Sequence, residues 1–229
     1  MKLEQVLFSQ GFGTRHECYG LIVQGRVAIE GQTLTDPWMD VDTNTLEFSV
    51  DGVSWSYFEK AVIALNKPAG YECSRKPIHH PSVMSLLPAP LRNRGVQPVG
   101  RLDEDTTGLL ILTDDGALLH RLTHPKKHVA KIYRVTAKHP MDETMFRRLL
   151  TGVVLDGEKE KVAADAIEQK SDRVFEMKIT QGKYHQVKRM VAAVGNRVQA
   201  LHRISVGHYT LSEELPEKHW CFIRKEDLI

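Results

Sequence analysis

The sequence predicts an α+β protein in which a small N-terminal αβ module precedes a larger domain with a mixed, mainly antiparallel sheet flanked by helices. Three observations predict it. The first is a charge split. Of 31 basic and 29 acidic residues, residues 1–59 hold three and nine, a net charge of −6, so residues 60–229 carry +8. Both signs run through both parts, which excludes a polyelectrolyte tail and points to two units with different electrostatic roles. The second is a change of pattern near Ala61, from helix, helix, strand to strands interleaved with short helices. The third is that no strand is followed by a G-x-G-x-x-G or P-loop segment, as a doubly wound nucleotide-binding sheet requires.

In the N-terminal module, Leu3, Val6 and Leu7 recur at helical spacing, and the helix they imply ends near Gly11-Phe12-Gly13. Thr14 and Glu17 have capping-box spacing and open a second short helix, which carries Cys18, Leu21 and Ile22 on one face and stops at Gly25. Arg26 to Glu30 then reads as a strand with Val27 and Ile29 inward, turning at Gly31. Leu46 to Val50 alternates in the same way.

From Ala61 the strands and helices alternate. Ala61 to Leu65 reads as a buried strand ended by the turn chemistry of Asn66-Lys67-Pro68-Ala69-Gly70. Cys73 to Pro98, rich in Pro, Arg and His and weakly periodic, is expected to wrap the surface. Leu109 to Thr113 is a second buried strand, followed by a turn and a helix presenting Leu119 and Leu122. Further strands are expected at Ile132 to Ala137, Val174 to Thr180 and from Val198 onward. Helices are expected at Asp142 to Thr151 and around Val187, Met190, Val191 and Val194. There is no internal repeat and no low-complexity tract.

With 41% hydrophobic and 26% charged residues the chain can bury a sizeable core and a small satellite. Its longest apolar runs, Ala61 to Leu65 and Met190 to Val194, are far short of the roughly 20 residues that cross a bilayer, so no membrane association is expected. Glu4 and Gln5 interrupt any secretory signal. Cys18, Cys73 and Cys221 are odd in number and form no C-x-x-C pair, which fits a reducing cytoplasm. The histidines lack acidic or Cys partners at ligand spacing, so no metal is expected.

Chemistry concentrates in three stretches. Gly100-Arg101-Leu102-Asp103-Glu104-Asp105-Thr106-Thr107-Gly108 places three carboxylates on a polar loop directly before a buried strand, with Arg101 beside Asp103. A carboxylate so placed suits nucleophilic or base catalysis, though it equally suits a solvated loop whose acids cap turns. Gly182-Lys183-Tyr184-His185-Gln186-Val187-Lys188-Arg189-Met190 gathers polar and basic side chains at a helix entry, where free amides attract phosphate. Lys126-Lys127-His128-Val129-Ala130-Lys131-Ile132-Tyr133-Arg134 is basic with one aromatic in its strand, a pairing that suits stacked bases or a core tyrosine.

Taken in order and spacing, these stretches, with Asn66-Lys67-Pro68-Ala69-Gly70, closely resemble the ribosomal small-subunit pseudouridine synthase A family. The Thr14 to Gly31 segment resembles that family's module related to ribosomal protein S4. The resemblance implies an S4-like RNA-binding module over residues 1–57 and a pseudouridine synthase catalytic domain over 60–229. It implies isomerisation of one uridine in 16S ribosomal RNA, either free or in an intermediate of small-subunit ribosome assembly, by a monomer without a cofactor. The alternatives are a 23S uridine or a non-catalytic ribosome-assembly protein. Asp103 is then the catalytic aspartate, Tyr133 the tyrosine that packs on the base, and Lys188 the basic partner of the aspartate. Arg101, Lys67, Lys131, Lys183, His185, Gln186, Arg189, Arg15 and Arg26 are the implied substrate and RNA contacts.

Overall fold

All residues from Met1 to Ile229 are described by the computed structural model, in which the chain divides into two units. One comprises Met1–Ala61 and Leu87–Gln97, the other Val62–Leu86 and Pro98–Ile229.

In the first unit, α1 (Leu3–Gln10) buries Leu3, Val6 and Leu7 and ends where Gly11 turns left-handed, at φ 85°. Only glycine fits there, because a Cβ would stand 2.1 Å from the carbonyl oxygen of Pro90. Helix α2 (Arg15–Val23) opens on the expected box: the Thr14 amide donates to Glu17 Oε2 at 2.7 Å and the Glu17 amide to Thr14 Oγ1 at 3.3 Å. It buries Cys18 and Ile22 but leaves Leu21 half-buried. Strands β1 (Val27–Ile29), β2 (Gln32–Leu34), β3 (Glu47–Val50) and β4 (Val53–Ser56) form an antiparallel sheet in the order β2-β1-β3-β4. Helix α3 (Ala89–Asn93) belongs to this unit. Asn93 Nδ2 donates to the Gly11 carbonyl at 3.0 Å, Arg94 Nη1 donates to Gln10 Oε1 at 2.8 Å, and Leu91 and Val96 are fully buried. The stretch expected to wrap the surface therefore contributes core to the N-terminal unit.

The second unit is built on β5 (Val62–Lys67), β7 (Thr107–Thr113), α4 (Gly116–Thr123), β8 (Lys131–Ala137) and α5 (Glu143–Thr151), with the two-residue β6 (Gln97–Pro98) falling at the boundary. These are followed by β9 (Val153–Val154), β10 (Lys161–Val162), β11 (Ala166–Gln169), β12 (Val174–Ile179), α6 (Gln186–Ala193), β13 (Val198–Val206), β14 (Tyr209–Thr210) and β15 (Trp220–Phe222). The main sheet runs β11-β12-β8-β13-β7-β5-β15 and is antiparallel except where β13 lies parallel to β7. The mixed, mainly antiparallel α+β sheet is thus observed.

Two local expectations differ. Strand β5 does not stop at Leu65, because Asn66 and Lys67 stay in register with Leu109 and Gly108 of β7. Helix α4 buries Leu118 with Leu122 rather than Leu119, since its Asp115 cap sets the phase so that Leu118 faces Leu109 and Ile111. On α5, Phe146 meets Phe175 of β12 edge-on, with ring centroids 5.2 Å apart.

The β7–β13 pair positions the site. Gly108 stands opposite Arg203, and a Cβ on it would lie 2.4 Å from the Arg203 carbonyl oxygen. On the other side of β13, Arg203 is in register with Tyr133 of β8. The loop before β7, the face of β8 and the start of α6 converge beside these three residues.

Candidate active site

A cleft of about 580 Å³ opens in the second unit, within the range of about 300–1,000 Å³ usual for small-ligand sites. Asp103, Tyr133 and Lys188 all line it, as do Arg101, Lys131 and Lys183. His185 and Gln186 complete the set that the sequence singled out and the fold brings together.

Asp103 sits at the centre of the charge pattern. Lys188 Nζ lies 2.8 Å from its Oδ2 and 2.6 Å from Oδ1 of Asp105, so one ammonium clasps two carboxylates. Burial draws the Lys188 pKa down, but the hydrogen bonds and charges of both aspartates outweigh it and leave the lysine above its ordinary value. For Asp105 burial pushes the other way and is outweighed by the Lys188 hydrogen bond and charge, so its pKa is lowered. His185 Nε2 stands 3.1 Å from the other oxygen of Asp103. His185 has φ 49° and caps α6 without a side-chain bond to its amides, which frees the ring for the carboxylate. The plane of its ring stacks on Tyr184, with centroids 3.7 Å apart. Tyr133, from β8, is buried with its ring on the cleft wall.

The remaining candidates are placed differently. Lys67 is fully buried beneath the Asp103 loop. Its Nζ donates among the carbonyl oxygens of Thr106 (2.8 Å), Pro68 (3.0 Å), Asp103 and Glu104 (3.1 Å each). Burial holds its pKa below the ordinary lysine value. No RNA reaches a lysine with no exposed surface. Gln186 is also buried, and its Oε1 accepts from the Lys183 amide at 2.9 Å. Arg189 does not line the cleft. It donates to Glu158 at 2.9 Å and to the Asp156 carbonyl, while Lys183 pairs with the same Glu158 on the loop between β9 and β10. In the first unit, Arg15 pairs with Glu4 at 3.3 Å and covers the Phe8 ring, and Arg26 binds Asp51 through two bonds of 2.6 Å.

Against this geometry, the family model described as RNA pseudouridylate synthase matches residues 61–193, and the S4 domain model matches residues 1–46. The ribosomal small subunit pseudouridine synthase A of Haemophilus influenzae is 36% identical over 95% of this chain and 93% of its own. This chain belongs to the ribosomal small subunit pseudouridine synthase A family of RNA pseudouridine synthases.

The synthase is also 37% identical to an uncharacterized RNA pseudouridine synthase of Bacillus subtilis, over 100% of this chain and 97% of that protein. A crystal structure of a pseudouridylate synthase superposes with a TM-score of 0.71 at 33% identity, covering 100% of both chains. Sequence reading missed Arg203, which lines the cleft, and Glu158, which pairs with Lys183 and Arg189. Glu158 lies in a hairpin whose strands are two residues each, too short to show a period. Arg203 is 3% exposed and lines the cleft from the middle of β13. The signal for it was available: in Leu201-x-Arg203-x-Ser205, an arginine occupies an inward position of an alternating strand.

Proposed function

We propose that the synthase isomerises one uridine of 16S ribosomal RNA to pseudouridine, with Asp103 as the catalytic carboxylate and no cofactor. The observation that supports this most is the placement of Asp103 on the cleft wall, clasped by Lys188 at 2.8 Å and facing the same space as Tyr133. A uridine must leave its stack to reach such a cleft, at a cost of a few kcal/mol, and the buried Tyr133 ring offers the extruded base an apolar wall. Breaking N1–C1′ leaves the electron pair on the base and positive charge on the ribose. Asp103 supplies the negative charge opposite that ribose, and Lys188 and His185 hold it in place. The base then turns, C5 bonds to C1′, C5 loses its proton and N1 gains one. The product is an isomer, so no oxidant, phosphoryl donor or metal enters the balance.

The 16S target rests on the names of relatives in Haemophilus influenzae and Yersinia pestis. The test is pseudouridine mapping across both ribosomal RNAs by carbodiimide-blocked primer extension, in cells with the protein, without it, and with Asp103→Asn. One 16S site should vanish without the protein and stay absent with Asp103→Asn. In vitro, that variant should turn over at least about 10⁴-fold more slowly, the scale seen when a member of a catalytic unit is removed. Restoration of the site by Asp103→Asn sinks the catalytic assignment. A dependent site in 23S RNA sinks only the target.

A further inference from the structure

Arg203 stands out as a buried cation without a counter-charge. Its Nε donates to the Leu109 carbonyl at 2.7 Å, while its Nη2 is sealed from solvent and has no partner. Beside it, Lys131 Nζ has one acceptor, the Val129 carbonyl at 2.8 Å. Neither forms an ion pair, whereas Lys183, Lys188 and Arg189 of the same region are all matched to carboxylates. Uncompensated buried charge opposes folding. The wall of the cleft therefore carries positive charge that no carboxylate of the chain neutralises, and a negative group entering the cleft would meet it.

We propose that Arg203, supported by Lys131, is a further catalytic residue of the synthase and holds the negative charge that builds on the uracil as its bond to the ribose breaks. The inference rests on the reading of Asp103 above. The pair left by N1–C1′ cleavage spreads from N1 onto the O2 and O4 oxygens, which accept hydrogen bonds more strongly as the charge grows. Donors aimed at a developing oxyanion in a water-poor site are the strongest single device for lowering such a barrier. Three features fit Arg203 to that task. Its register with Tyr133 sends both side chains to one face of the sheet, so the ring that packs on the base and the guanidinium share one wall. Its backbone lies against Gly108 and its Nε is anchored on the Leu109 carbonyl, which fixes the guanidinium at the cleft wall before any base arrives. Its 3% exposure matches a base entering deep in the cleft rather than a phosphodiester, which stays near solvent with the RNA backbone. The later steps return the charge: C5 bonds to C1′, and the proton lost from C5 is balanced by one gained at N1.

The test compares uridine with 5-fluorouridine at the mapped position of an RNA fragment, reading single-turnover loss of the N-glycoside by mass spectrometry; the fluorinated C-glycoside, with no C5 proton to lose, keeps its fluorine and takes up water across N1 and C6. Fluorine makes the uracil a better anion and lessens its need for help. Arg203→Lys should slow uridine by about 10²-fold, the effect of losing one oxyanion donor, and 5-fluorouridine by roughly tenfold, as a rate sensitive to leaving-group acidity demands. RNA affinity should be unchanged. Lys131→Gln should show the same selectivity at smaller size, and it decides the matter if Arg203→Lys does not fold. Equal losses on both nucleosides, no loss, or a loss in RNA affinity with a shallower salt dependence each overturn the proposal. Asp103→Asn, run alongside, should be inactive on both substrates; activity there defeats the underlying reading instead.

Discussion

At the residue scale, Lys67 and Lys188 do different work although both are lysines beside Asp103. Lys67 never meets solvent and holds four loop carbonyls. Lys67→Met keeps the volume but leaves those oxygens without a donor. At about 1–3 kcal/mol for each buried group left unpaired, a loss of about 3 kcal/mol follows if two stay unsatisfied. Denaturant unfolding should show that loss, and kinetics should show a fall in kcat with little change in RNA affinity. A variant that loses affinity instead shows that Lys67 touches RNA.

Lys188 answers to pH. Its raised pKa means that its contribution is fully present below the ordinary lysine value of 10.5 and is lost as pH rises through the folded value. The lowered pKa of Asp105 means that its contribution is present above 3.8 and is lost as pH falls through the folded value. The clasp therefore stands throughout the window between 3.8 and 10.5. NMR of labelled lysine should place the Lys188 titration above that window and move it down in Asp105→Asn. An unmoved titration contradicts the shared clasp. That Asp103, Tyr133 and Lys188 would come together was legible in the sequence because the motifs carry them in order, and all three line one cleft. Lys67 was read as an RNA contact because nothing local shows that its partners come from a loop 36 to 39 residues away.

At the scale of elements, legibility followed length. Helices and strands of six or more residues declared themselves through their period or, for β5 and β7, through an unbroken apolar run, and β1 and β3 showed inside longer alternating stretches, whereas β2, β4 and β9 to β11, at two to four residues each, did not. The stretch from Glu72 onward was opaque for another reason. Its order comes from a side chain: Glu72 accepts from the amides of His79, His80 and Ile78, bonds that pull its pKa down to about 2. Such bonds have no period to read. Gly108 is where element packing and site meet. With φ 98° and the Arg203 backbone 2.4 Å from a notional Cβ, Gly108→Ala must strain its own backbone and push β7 from β13. A cost of about 2–4 kcal/mol follows from left-handed strain plus overpacking. Gly100→Ala, with φ 73° and nothing within 4 Å, carries the strain alone, about 1–2 kcal/mol. Thermal or urea unfolding of the two variants should rank them in that order. Equal losses mean that the close approach contributes nothing.

For the whole molecule, the charge split read from the sequence needs redrawing. The segment Leu87–Gln97 brings Arg92 and Arg94 to the N-terminal unit, and Lys60 falls there too, giving six basic against nine acidic residues, or −3 rather than −6, with +5 on the other unit. Net charge still misstates what RNA meets, because many of these charges are already engaged. Arg26 is bound twice by Asp51, Arg15 by Glu4, and Arg94 by Gln10 and the Phe58 and Glu59 carbonyls. Lys126, which lines the cleft, and its neighbour Lys127 are exposed and make no side-chain ion pair. Each phosphate neutralised by a free cation releases counterions and contributes about 0.7 to the slope of log affinity against log salt for single-stranded RNA. A cation that must first leave a carboxylate contributes far less. Lys126→Gln and Lys127→Gln should therefore each flatten the slope by about 0.7, weakening binding alike across RNA sequences, whereas Arg26→Gln should leave it unchanged. Titrations of the full chain with a ribosomal RNA fragment at several salt concentrations give these slopes directly. If Arg26→Gln flattens the slope as much as Lys126→Gln does, the S4 unit shares in holding phosphate, and its Arg26–Asp51 pair opens when RNA arrives.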